Sequence, residues 1–100
     1  MDFGFFVGLS YDNCTEKFDN YRQFKNALPK EAVIQHIQYV EHGLTSLPSK
    51  DIFTGEKLHA GMFWDGDFTF PYEFLHYYKN YDIGIPYEYE EYLKSIGVGE

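Results

Sequence analysis

Apolar residues recur at helical spacing in the segment 29–42. The spacing is i, i+4, i+7 and predicts one buried helix face made of Val33, Ile37 and Val40. Gly43 stands where a left-handed C-terminal cap is expected, and Leu44 continues the same apolar face. The pattern therefore predicts a helix from Pro29 to His42, followed by a loop over Thr45–Asp51 that contains Pro48.

The N-terminal part of the chain gives weaker patterns. Residues 3–11 are mostly apolar and predict a short strand or extended segment, although Gly4 and Gly8 interrupt it. Asn13 and Glu16 have the spacing of a capping box, which predicts a helix from about Thr15. Apolar residues at near-helical spacing follow it: Phe18, Tyr21, Phe24 and Leu28.

The second half alternates strand and helix signals. Segments 57–64 and 67–70 predict two strands around an Asp65-Gly66 turn. Pro71 ends the second strand and opens a helix that runs to about Asn80. Pro86 opens the last helix, which Gly97 stops. The chain is thus predicted to be one α+β domain, with a small antiparallel sheet (hairpin near 57–70) packed against three or four helices.

Length and composition fit this prediction. A chain of 100 residues can build one core, and 21% aromatic residues is too many for a disordered acidic tail. The formal net charge is −8, so we expect no direct binding to nucleic acid or to an anionic membrane surface. No segment approaches the ~20 apolar residues of a transmembrane helix. No signal peptide is apparent, and the single cysteine, Cys14, suggests a reducing, cytoplasmic location.

Charge is distributed unevenly along the chain. Residues 1–50 hold six acids and five bases, a net charge of −1, whereas residues 51–100 hold ten acids and three bases, a net charge of −7. This asymmetry predicts that the C-terminal half carries the attractive field for a basic partner.

Motifs for catalysis and metal binding are absent. Cys14 lacks a protease signature around it, and the four histidines lack zinc-ligand spacing. A metal site from His59, His76 and Asp67 is conceivable but is disfavoured, and Asp65-Gly66-Asp67 is better explained as a hairpin turn than as a calcium loop. We therefore expect no catalytic residue, no metal and no cofactor.

Tyrosines and carboxylates alternate in the segment 72–92. Rings on different helix faces cannot all be buried, so several are expected beside carboxylates on the surface, where tyrosine is favoured in interfaces. The alternative is an ordinary solvated acidic face. The predicted partner-binding residues are Asp65, Asp67, Glu73, Tyr77, Tyr78, Tyr81, Asp82, Tyr87, Glu88, Glu90 and Glu91.

The stretch from Asp65 to Leu93, DGDFTFPYEFLHYYKNYDIGIPYEYEEYL, resembles small bacterial immunity proteins that neutralise secreted toxins, including contact-dependent growth inhibition toxins. The resemblance covers about the C-terminal third and includes no defined motif. It implies a cytoplasmic inhibitor of one cognate toxin, frequently a nuclease.

Composition leads to a compatible hypothesis, because an acidic protein with exposed tyrosines can occupy the electropositive active site of a nuclease. Two alternatives stay open. One is an acidic nucleic-acid mimic of phage origin, and the other is a small enzyme with an unrecognised site, which a pocket of converging polar groups would favour.

Overall fold

The computed structural model, which describes residues 1–100, contains one three-stranded antiparallel sheet. The strands are β1 (Glu41–Lys50), β2 (Lys57–Asp65) and β3 (Phe68–Pro71), in the order β1-β2-β3. A 3₁₀ helix (Phe18–Gln23) and α1 (Lys30–Ile37) precede the sheet. Helices α2 (Phe74–Asn80) and α3 (Tyr87–Ser95) follow it. The predicted α+β class is confirmed.

The β2–β3 hairpin forms where it is predicted, but its turn lies one residue later than the predicted Asp65-Gly66 turn. Asp65 pairs with Phe68, which leaves Gly66 and Asp67 as a two-residue turn. Gly66 takes φ +60 at the first turn position, where the turn types of tight hairpins favour glycine. At the other end of the chain, Gly97 ends α3 with φ +88, and the Val98 N–H bonds to the Leu93 carbonyl over 3.0 Å.

The region between α1 and β2 differs from the prediction. Helix α1 ends at Ile37, and residues 41–50 form β1 rather than a helix end and a loop. Gly43 is therefore a strand residue opposite Met62, and Leu44 is exposed. Pairing with β2 outweighs the weak local preferences of this segment, and a bulge between Leu44 and Pro48 absorbs its irregularity.

The N-terminal segment is irregular rather than a strand. Its only ladder-like contacts are isolated bridges from Asp2 to Thr69 and from Phe6 to Glu16. Gly4 takes φ +80 and lies directly against the ring of Phe74, a path that a regular strand cannot follow. The predicted capping box is also absent, since no side chain caps the 3₁₀ helix.

The core lies between the sheet, the helices and the N-terminal segment. Val33, Ile37 and Val40 are buried as predicted, but only the first two lie on α1, and Val40 lies in the turn that follows it. Ten of the 17 core residues are aromatic: Phe3, Phe6, Phe18, Tyr21, Phe63, Phe70, Phe74, Tyr77, Tyr78 and Tyr89. Ten of the 21 aromatic residues therefore belong to the core, where their rings pack against one another, such as Phe3 stacked on Phe70 at 4.7 Å. None of the helices is long and apolar enough to span a bilayer.

Candidate functional site

Burial removes five of the eleven predicted binding residues from the surface. Asp65, Glu73, Tyr77, Tyr78 and Glu90 are at most 8% exposed. The expectation that these residues face a partner is wrong, because each packs or hydrogen-bonds inside the domain.

The two buried tyrosines of α2 are core residues. Tyr77 packs edge to face on Phe6 at 5.6 Å, and its hydroxyl accepts a hydrogen bond from the Ile52 N–H over 2.9 Å. Burial raises the pKa of Tyr77 to about 12. The Tyr78 ring stacks on Phe74, and the Lys30 ammonium lies 4.6 Å from the centre of the Tyr78 ring.

Glu90 binds backbone rather than a partner. Its carboxylate accepts hydrogen bonds from the N–H groups of Ala27 and Leu28 at 2.6 and 2.9 Å, and from the Asn26 side chain at 3.1 Å. Burial alone would raise the pKa of Glu90, but these donors outweigh it, so the pKa lies below its usual value. Glu90 therefore fixes the segment before α1 against α3.

The carboxylates of Asp65 and Glu73 are held in the same way. Asp65 Oδ2 accepts hydrogen bonds from the Tyr89 hydroxyl and from the His36 Nε2, both at 2.7 Å. The Glu73 carboxylate accepts hydrogen bonds from the hydroxyls of Tyr11 at 2.6 Å and Ser49 at 2.5 Å. Such bonds offset the cost of burying a carboxylate and leave little capacity for an external ligand.

The other six predicted residues keep some exposure but do not share one surface. Tyr81 is half-buried, donates its hydroxyl to Asp51 Oδ2 over 2.7 Å and packs on Phe53. Asp82 lines a cavity of about 320 Å³ together with Arg22, Lys25 and Lys30, so its charge is opposed by nearby bases. Tyr87, Asp67, Glu88 and Glu91 remain exposed at α3 and the hairpin turn.

Three acids from the first half of the chain line a cavity of their own. Asp2, Asp12 and Glu16 surround a shallow space of about 270 Å³, together with Phe5, Asn13 and Thr15 and no basic residue. One carboxylate oxygen of Glu16 accepts the Phe5 N–H and the other accepts the Tyr21 hydroxyl, which holds this side chain in place. Sequence analysis missed these acids because they lie far along the chain from the tyrosine-rich segment.

The N-terminal segment connects this cavity to α3 and the hairpin turn. Asp2 bridges to Thr69, and the N-terminal ammonium donates to the Asp67 carbonyl. The pKa of the Tyr21 phenol is raised first by burial and then by Glu16. Glu88 lies close enough to Tyr21 that its charge adds to this increase. Similarly, Asp67 contributes to the raised pKa of Tyr92 on α3. We use the term acidic face for Asp2, Asp12, Glu16, Asp67, Glu88 and Glu91.

Basic residues concentrate elsewhere. Three of them share the cavity with Asp82, and Lys57 and Lys79 line another cavity. On the acidic face, Lys94 forms an ion pair with Glu91 at 3.5 Å. The acidic face contains three acids from each half of the chain. Four acids of the second half are buried: Asp51, Asp65, Glu73 and Glu90. The two halves of the chain therefore do not correspond to two surfaces.

Cys14 and the histidines do not form the metal or nucleophile arrangements considered from the sequence. Burial raises the pKa of the half-buried Cys14, which favours the thiol over the nucleophilic thiolate. His59 and His76 line one cavity, whereas Asp67 lies at the hairpin turn. No group of three or more His, Cys, Asp or Glu side chains is arranged to hold a metal ion.

Comparison with known proteins adds no relative to this description. No family model matches the chain, and no curated protein and no solved structure matches it.

Proposed function

We propose that this protein is an immunity-type inhibitor that binds a basic protein toxin through its acidic face. The observation that carries the proposal is that three carboxylates, Asp2, Asp12 and Glu16, line a cavity without a basic residue, while Asp67, Glu88 and Glu91 are exposed at the hairpin turn and on α3. The sequence resemblance to toxin-immunity proteins supports the same class. The proposal includes a cytoplasmic location for this protein and a nuclease activity for the toxin.

The shape of the cavity suits a cationic side chain. Asp2 and Asp12 offer carboxylate oxygens at its wall, and Phe5 provides an apolar surface. Glu16 adds its negative charge, while its two oxygens accept hydrogen bonds from the Phe5 N–H and the Tyr21 hydroxyl. A lysine or arginine of the partner could enter there and form charge-assisted hydrogen bonds. Asp67, Glu88 and Glu91 extend the field beyond the cavity and would attract the basic cleft of a nuclease from a distance.

Tyr87 provides the aromatic contact that the buried tyrosines cannot. It is 47% exposed at the start of α3, beside Glu88, and its ring packs edge to face on Phe24 at 5.1 Å. Its hydroxyl accepts the Lys25 N–H over 3.1 Å, so the ring is held in one position. A rigid, half-exposed tyrosine beside a charged surface is typical of binding interfaces.

Capture from the native host tests the proposal. The bait is the wild-type chain, compared with a reversal of Asp67, Glu88 and Glu91 to Lys and a control reversal of Glu31, Glu41 and Glu56, which are exposed elsewhere. We expect a basic protein that the wild type and the control retain and the acidic-face variant loses. Expressed alone, that protein should arrest growth, and co-expression of the wild-type chain should restore it.

Two results would refute the proposal. One is a captured partner whose binding is weakened equally by the acidic-face reversal and by the control reversal, when all three baits are folded. The other is a partner that is not toxic, or whose toxicity the chain does not suppress. A host defence nuclease as the captured target would instead favour the phage-derived nucleic-acid mimic.

A further inference from the structure

We propose that a cavity lined by basic side chains binds a phosphate monoester whose organic part is apolar or planar. The cavity has a volume of about 360 Å³ and lies between β2 and α2. We call it the basic pocket and define it by Lys57, His59, His76 and Lys79. It is independent of the acidic face and of the function proposed above.

The spacing of the four basic residues makes them face one another. Lys57 and His59 are two apart on β2, so their side chains leave the same face of the strand. His76 and Lys79 are three apart on α2, so they share one side of that helix. Two pairs of nitrogen-bearing side chains therefore meet across one cavity.

The lysines of the basic pocket have no internal partner. All ion pairs of the domain involve other residues, and no hydrogen bond engages the side chains of Lys57, His59 or Lys79. In the cavity that contains Asp82, Arg22 pairs with Asp19 and Lys30 donates to the Tyr81 carbonyl, whereas the Lys25 side chain, like those of Lys57 and Lys79, has no partner. In a chain of net charge −8, the basic pocket thus holds two of the three lysines of residues 51–100 without any neutralising contact.

One side of the basic pocket is fixed and the other is free to adapt. His76 Nε2 lies 2.7 Å from Asp51 Oδ2, which holds the imidazole ring in position. The one carboxylate of the lining, Glu73, is buried and accepts the hydroxyls of Tyr11 and Ser49. The free donors at the mouth are therefore the two lysines and His59, a set suited to the oxygens of a phosphate group.

Apolar side chains line the rest of the cavity and favour an ester over free phosphate. Leu75 and the half-buried Tyr72 are part of the wall, and the Tyr72 ring stacks on Phe63 with the ring centres 5.0 Å apart. A pocket with an apolar wall and a few charged donors is the usual form of a small-molecule site. The apolar wall would accept the organic part while the lysines bind the phosphate.

Titration of the full chain with inorganic phosphate and with phenyl phosphate tests this inference. Binding is measured by the NMR chemical shifts of backbone amides and histidine rings, and chloride keeps the ionic strength constant. We expect shifts confined to residues around the basic pocket and tighter binding of phenyl phosphate than of phosphate. The double variant Lys57→Gln/Lys79→Gln should weaken both ligands about tenfold or more. The matched control Arg22→Gln/Lys25→Gln removes the same charge at the other basic cavity and should change affinity less than about twofold.

Three outcomes would overturn the inference. The first is that chloride alone produces the same shifts, and the second is that both double variants weaken binding equally. The third is equal affinity for the two ligands, which would exclude the apolar wall as the site of the organic part. Because the substituted residues are exposed lysines and arginine, the spectrum of each variant should retain the dispersion of the folded protein and so report binding rather than unfolding.

Discussion

The Oδ2 atom of Asp51 lies 2.7 Å from Nε2 of His76, which joins the loop after β1 to α2. The same oxygen accepts the Tyr81 hydroxyl at 2.7 Å, and Oδ1 accepts the N–H groups of Phe53 and Thr54. Burial would raise the pKa of Asp51, but these donors outweigh it and lower the pKa to about 2. The carboxylate thus has four hydrogen-bond partners inside the domain.

This connection should make the protein acid-sensitive in a defined range. Since the folded-state pKa lies below the ordinary value of 3.8, the ionised carboxylate adds stability above about pH 4. That contribution, about 2 kcal/mol, is lost as the pH falls toward 2. We expect Asp51→Asn to be less stable at pH 7 and to lose less stability than the wild type between pH 4 and 2, measured by urea unfolding.

The exposed Asp19 provides the control for this experiment. Its carboxylate contacts only Arg22, at 3.1 Å, and Asp19→Asn should change neither the stability at pH 7 nor its acid dependence by more than about 0.5 kcal/mol. An Asp51→Asn protein with the same acid profile as the wild type would contradict the assignment.

Glu90 and Glu91 allow a direct comparison of an internal and an external carboxylate. Glu90→Gln weakens the acceptor for two backbone N–H groups and should cost about 1–3 kcal/mol in the free energy of unfolding. The amides of Ala27 and Leu28 should then exchange faster with solvent. Glu91→Gln makes the same chemical change on the exposed side of α3 and should be close to neutral. Equal losses in the two variants would mean that Glu90 does not hold the 26–28 segment.

The buried face of α1 gives a test of the core. Ile37 is fully buried, so Ile37→Ala should cost about 2–5 kcal/mol through lost burial and the cavity left behind. Ile96, which is 49% exposed after α3, is the matched control, and Ile96→Ala should cost less than about 0.5 kcal/mol. Chemical unfolding measures both, and a small effect at Ile37 would contradict its place in the core.

Sequence patterns predicted the parts of the fold that local chemistry determines. The β2–β3 hairpin has its glycine turn, α3 begins after Pro86 and stops before Gly97, and α1 buries Val33 and Ile37. Strand β1 could not be predicted, because its ten residues include Gly43 and Pro48 and become a strand through pairing with β2.

The candidate site was harder to predict than the fold. Spacing showed that tyrosines and carboxylates alternate, but not which of them the core would take. Glu90 is bound by Ala27, 63 residues earlier in the chain, and the acids of the cavity lie before residue 17. Contacts of this range depend on the tertiary fold, so neither the burial of Glu90 nor the position of Asp2 has a local signal.

Association with the captured toxin gives the test that connects surface charge to binding. The acidic face should speed association at low salt, and association should slow as ionic strength rises, because the Debye length shortens to ~8 Å near 0.15 M. Reversal of Asp67, Glu88 and Glu91 should slow association, whereas Tyr87→Ala should mainly speed dissociation, since it removes a contact but no charge. Tyr78→Ala cannot serve this purpose, because Tyr78 is only 2% exposed and its loss would disturb the core.

Stopped-flow association and dissociation rates separate the two effects, and the reversal of Glu31, Glu41 and Glu56 is the control. If that control slowed association as much as the acidic-face reversal, total charge rather than the acidic face would govern binding.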